Sequence, residues 1–162
     1  MILTVFTLVH VVLSLVGIGS GFVVLYGLLA SRRDDRWTAV FLVTTLATSV
    51  TGFLFPFHGF TPADGVGILS MIVLPISMLA LYRFRLVGGW RRIYAVTAVS
   101  ALYLNVFVLI AQMFQKIQSL RALAPTRTEA PFQIAELIVL LLFTALGIRA
   151  TIKFGNEPLR TA

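Results

Sequence analysis

The chain has no cysteine, which excludes disulfides, thiolate metal sites and cysteine nucleophiles together and leaves the redox compartment open. Charge is scarce as well: Asp, Glu, Lys and Arg make up 12% of the 162 residues, against about 25% in an ordinary soluble domain. With six acidic residues and two histidines in all, there are few groups from which acid–base or metal chemistry could be built. No G-x-S-x-G, H-E-x-x-H or Walker loop is present. Ser14, Ser70, Ser77 and Ser100 have none of the surrounding motifs of an intramembrane nucleophile.

What the chain does have is apolar length. The hydrophobic fraction is 59% and the mean hydropathy +0.97, so there are too few polar residues to cover a soluble surface, and lipid must be the solvent for much of it. Spanning a hydrocarbon core of about 30 Å takes roughly 20 mostly apolar residues. Five segments qualify: 3–30, 37–57, 63–82, 90–114 and 132–152. Only helices satisfy their backbone groups at this length in lipid. The expected fold is an all-α bundle of five transmembrane helices forming a single domain over 1–162. Between the spans lie SRRDDR (31–36), a Pro/Gly turn without Lys or Arg (56–64), RFRLVGGWRR (83–92) and the longest connection, 115–131.

The formal charge of +7 does not point to nucleic acid, because the 13 Lys and Arg residues sit in short clusters between apolar runs. That is the pattern of membrane topology and anionic headgroups. With the N-terminus outside, Arg32, Arg33, Arg36, Arg83, Arg85, Arg91, Arg92, Arg149, Lys153 and Arg160 fall on the cytoplasmic side, and Lys116, Arg121 and Arg127 on the other. Ten against three satisfies the positive-inside rule. Trp37, Tyr82, Trp90 and Tyr94 are expected at the cytoplasmic boundary as interfacial aromatics. The first segment lacks a basic start, is longer than the apolar region of a signal peptide and is followed at once by arginines, so it is read as a retained helix. A four-span arrangement with one segment on the surface is the alternative, and it weakens the charge asymmetry.

Helices in lipid associate through close packing and polar contacts, so stripes of small and polar residues should face inward. They run through His10, Ser14, Gly17 and Gly21; Thr38, Thr45, Thr48 and Gly52; Gly67, Ser70 and Ser77; Ala98, Ala101, Asn105, Gln112 and Gln115; and Gln133, Glu136 and Gly147. Pro75 should kink the third helix. GIGSG (17–21) is read as helix packing, because a phosphate loop must follow a strand.

Ionisable residues inside spans often mark function, and His10 and Glu136 are the two well placed. With Asn105, Gln112, Gln133 and His58 they are expected in the outer half, where they would line a ligand-binding pocket opening outward. A carboxylate there must find a partner or take up a proton; His10–Glu136 or Asn105–Glu136 contacts would provide the partner. The competing reading is that these are interhelical hydrogen bonds holding the bundle together. Two histidines on different helices raise bis-histidine haem, but His58 lies at the boundary beyond Pro56 while His10 is buried by about two turns, so geometry argues against it. His10, His58 and Glu136 carry no metal-ligand spacing, and no cofactor is implied.

Two stretches, TSVTGFLFPFHGFTPA (48–63) and ALYLNVFVLIAQMFQK (101–116) followed by APTRTEAPF (124–132), resemble a family of small polytopic bacterial inner-membrane proteins with no assigned activity. The resemblance covers most of the chain from the second helix onward. It implies a bacterial inner membrane and lends no catalytic residue. The expected function is a non-enzymatic accessory or interaction subunit, or a homo-oligomer, whose partners are the bilayer and other membrane subunits or itself. A small-ligand or proton carrier, channel or sensor is the alternative, and a haem or quinone redox protein the third.

Overall fold

The computed structural model describes residues 2–55, 62–158 and 160–161. Its helices are α1 (Ile2–Leu29), α2 (Asp35–Gly52), α3 (Pro62–Met78), α4 (Trp90–Lys116), α5 (Gln118–Leu123) and α6 (Ala130–Asn156). Four of them, α1, α3 with its continuation to Arg83, α4 and α6, are long and apolar enough to cross a membrane. This agrees with an all-α membrane bundle. The second predicted span is the exception: α2 has 18 residues, begins on Asp35 and Arg36, and is rich in threonine, which lowers its apolar content without removing it from the bundle.

The helix ends follow from local chemistry. SRRDDR is a helix start as well as a turn, because the Asp34 carboxylate accepts from the backbone N–H groups of Arg36 and Trp37 at 3.0 and 3.1 Å, satisfying two otherwise orphaned donors. Asp35 adds a second negative charge to the first turn, where the helix dipole favours it. Around Pro75 the third helix stays helical, then widens one turn later into a π-turn, Leu79–Arg83. The turn that follows has Arg85 and Leu86 at φ 48° and 59°, and the Leu86 N–H bonds the Ala80 carbonyl at 3.0 Å. Phe84 and Trp90 stack across it, 3.8 Å apart and within 4° of parallel. The connection at 115–131, expected as a loop, contains the short helix α5.

Contacts fix the arrangement. α1 and α2 form an antiparallel hairpin in which His10 meets Thr51 and the backbone of Gly17 faces Thr45. α4 and α6 are also antiparallel: Phe114 meets Phe132, Tyr103 meets Phe143 and Tyr94 meets Phe154. Gly21 lets three helices close on one point, since a Cβ there would lie 2.5 Å from Leu102 of α4 and 2.9 Å from the Phe41 ring of α2. Residues 32–33 and 160–161 pair as short parallel strands β1 and β2, bringing the end of the chain back to the α1–α2 turn.

Ten of the 13 basic residues and three of the six acidic ones belong to one end of this bundle, so it carries the whole formal +7. The same end is the better packed. Leu28, Phe41, Tyr94, Ala95 and Phe154 are at most 2% exposed, whereas residues 105–112 of α4 are all partly exposed.

Candidate functional site

His10 stands two turns into α1, against α2. Its Nδ1 is 2.8 Å from Thr51 Oγ1, and its ring meets Phe55 edge-on at 5.2 Å. Thr51 donates its single hydroxyl hydrogen to the Ala47 carbonyl at 2.7 Å, so the hydroxyl oxygen accepts from His10 Nδ1–H. The hydrogen-bond network therefore assigns the proton to Nδ1 and leaves Nε2 as an acceptor. Lys116, at the end of α4, lies within Coulombic reach of this ring.

Asn105 donates through Nδ2 to Thr45 Oγ1 at 3.1 Å, joining α4 to α2. It is eleven residues from the end of α4 and fifteen from its start, about 16 Å from that end by the helical rise, so it sits just past the middle of the helix on the side away from the arginine-rich end. Gln112 is partly exposed near the end of α4. Gln133 is exposed and donates to the Thr128 carbonyl at 2.9 Å, which ties it to the preceding loop. His58 lies outside the described residues.

Glu136 is 8% exposed, and both its carboxylate oxygens are buried without a hydrogen-bond partner among the described residues. It lies on the α6 face that carries Phe132 and Phe143, both packed on α4, with Tyr103 within Coulombic reach. Neither expected contact forms: His10 is bonded to Thr51 and Asn105 to Thr45. His10, Asn105 and Glu136 thus belong to three different helix pairs, α1–α2, α2–α4 and α4–α6. Helix antiparallelism put them at neighbouring depths, but the rotation of each helix about its axis aimed them apart.

Many hydroxyls in the helices are occupied by their own backbone. Ser14, Ser20, Ser49, Thr97 and Thr151 each donate to the carbonyl four residues earlier, so these are helix-satisfied groups and not poised nucleophiles. Among the described residues, no three His, Asp or Glu side chains converge on a point that a metal ion could occupy.

The sequence did not reveal a cavity of about 190 Å³ at the arginine-rich end, walled by α1, α2, α4 and Phe154 of α6. Tyr94 lines it. This residue, expected among the interfacial aromatics, is 1% exposed, whereas Tyr26, Trp37 and Tyr82 are 67%, 45% and 60% exposed. The only sequence signal was its place, one turn inside α4 and among alanines at 95 and 98, a spacing that lets neighbouring helices close over it.

No protein-family model matches the chain, and no curated protein or solved structure is significantly similar to it.

Proposed function

We propose that this chain is a five-span, non-enzymatic bundle of the bacterial inner membrane, acting as an accessory or interaction subunit or as a homo-oligomer. The N-terminus is outside and the C-terminus cytoplasmic. The observation that carries the functional reading is the use of its deep polar groups: His10–Thr51 and Asn105–Thr45 are helix-to-helix hydrogen bonds, the kind that hold membrane bundles together. Two features support α2 as the fifth span. Its 18 residues reach about 27 Å, and it follows α1 from Gly17–Thr45 to His10–Thr51. The basic end is then cytoplasmic by the positive-inside rule. The bacterial inner membrane rests on the sequence resemblance alone.

Native mass spectrometry of the chain released from its own membranes in mild detergent tests this. A stoichiometric partner subunit or a closed homo-oligomer is expected, and a bare monomer at every detergent concentration overturns it.

Glu136 favours a second reading, a proton or small-ligand carrier, because its buried carboxylate oxygens have no partner among the described residues. In proteoliposomes loaded with a pH-sensitive dye, that reading expects a proton flux abolished by Glu136→Gln. Flux equal to that of protein-free vesicles, or unchanged in the variant, removes it.

A further inference from the structure

The cavity at the arginine-rich end has a lining of mixed character. Leu28 and Phe154 give it apolar walls, while Arg32, Arg33, Thr38 and Tyr94 bring donors to it. At about 190 Å³ it is roomier than the cavity of about 150 Å³ that holds a benzene ring. Tyr94 lines it, and its hydroxyl is buried with no partner in hydrogen-bonding geometry among the described residues. Thr38 is near enough to influence it but does not meet it in bonding geometry. Donors exceed acceptors here. Asp34 is the one carboxylate in the lining, and its Oδ1 is engaged in capping α2. Arg33 is held by Asp35, with Nε–Oδ1 at 2.6 Å; Arg32 is exposed.

What such a lining complements is an acceptor-rich anion, and the net formal +7 of the chain lies at this end. The occupant must also carry an apolar portion. Tyr26 and Trp37, which line the cavity, are 67% and 45% exposed and stand where apolar helix gives way to charged turn. Gly27 keeps the wall thin: a Cβ there would lie 2.9 Å from the Arg32 carbonyl.

We infer that this cavity binds the phosphate-bearing headgroup of an anionic phospholipid, with Arg32 and Tyr94 donating to the phosphate oxygens. Arg32 supplies the charge-assisted contact and Tyr94 a neutral one. The inference rests on the membrane placement proposed above but not on the accessory role, because lipid count and subunit count are read independently in one mass spectrum.

The test is retention of lipid by the full chain released from nanodiscs of phosphatidylcholine and phosphatidylglycerol in equal parts. Preferential retention of phosphatidylglycerol is expected. Arg32→Gln and Tyr94→Phe should each lower it about tenfold, the scale of one lost hydrogen bond to a charged group. Arg36→Gln removes the same charge from the same turn but lies outside the cavity lining, and should leave retention unchanged. Equal retention of the two lipids, no effect of Tyr94→Phe, or an Arg36→Gln loss as large as that of Arg32→Gln overturns the proposal. Displacement by millimolar inorganic phosphate overturns the lipid assignment in favour of the free anion. Tyr94→Phe keeps the ring against Phe154, so it remains decisive if Arg32→Gln fails to fold.

Discussion

Adding one methyl group at either of two neighbouring glycines of α1 should have opposite consequences. At Gly21 a Cβ would lie 2.5 Å from Leu102 Cδ1 and 2.9 and 3.0 Å from two carbons of the Phe41 ring. Leu102 and Phe41 are 1% and 0% exposed, so neither has open space to move into. Overpacking of this kind costs about 1–3 kcal/mol. Alanine in place of glycine recovers about 0.8–1.0 kcal/mol of helix propensity, and the net expectation for Gly21→Ala is a loss of about 1 kcal/mol, within a range of about 0–2, from these two contributions. At Gly19 a Cβ would meet nothing within 4 Å. Gly19→Ala should therefore show the propensity gain alone, about 0.5–1 kcal/mol of stabilisation. The two variants should differ by roughly 2 kcal/mol, a factor of about 30 in the folded-to-unfolded ratio. Reversible unfolding in mixed micelles with increasing dodecyl sulfate, followed by tryptophan fluorescence, measures the difference directly. If the two variants have the same midpoint, or Gly19→Ala is the less stable, α1 does not pack on α2 and α4 through Gly21.

Two further outcomes follow from single contacts. A double-mutant cycle on Asn105→Ala and Thr45→Val, read by the same unfolding assay, should give a coupling of about 0.6–1.7 kcal/mol, the range for hydrogen bonds between membrane helices; additive losses would show that the 3.1 Å contact contributes nothing. In the loop before α6, desolvation is the largest single influence on Glu129 and works against its ionisation, but hydrogen bonds from the Thr126 hydroxyl and from the amides of Thr126 and Thr128 together outweigh it and hold its pKa below the ordinary 4.5. A carboxylate with a depressed folded pKa gives stability that is fully present above the ordinary value and lost as pH falls through the folded one. Hydrogen exchange at the Thr126 and Thr128 amides, normalised for intrinsic rate, should then stay protected down to about pH 4.5 and lose protection below it. Glu129→Gln should remove most of that protection at neutral pH; equal protection in the variant refutes the assignment.

The membrane character was legible from composition alone, because hydrocarbon solvation is a property of residue content and run length. Some helix starts have local signals too. Arginine clusters, Asp34 and the Gly88–Gly89 turn mark changes of solvent and backbone freedom that are local in sequence. α2 is the expected span that falls short in apolar length, since its threonines reduce apolarity. Thr44 and Thr51 return their hydroxyls to their own helix backbone, a satisfaction that hydropathy does not register.

The candidate site depended on information of a different order. Counting residues from the helix ends gives depth along each helix, but a pocket also needs each helix to be rotated toward a common axis. That rotation is set by long-range packing, by Phe132 and Phe143 against α4 and by Gly21 against Phe41 and Leu102. His10 was turned onto Thr51, Asn105 onto Thr45, and Glu136 was left without a partner. The cavity around Tyr94 was invisible for the same reason. Its walls come from residues as far apart as Val23 and Phe154, and only the closing of α6 on α4 and on the α1–α2 turn makes them one surface. The sequence by itself determined the solvent, the helices and the end that carries the charge. Tertiary structure alone decided which polar groups are satisfied and where an empty volume remains, because both depend on contacts between segments distant along the chain.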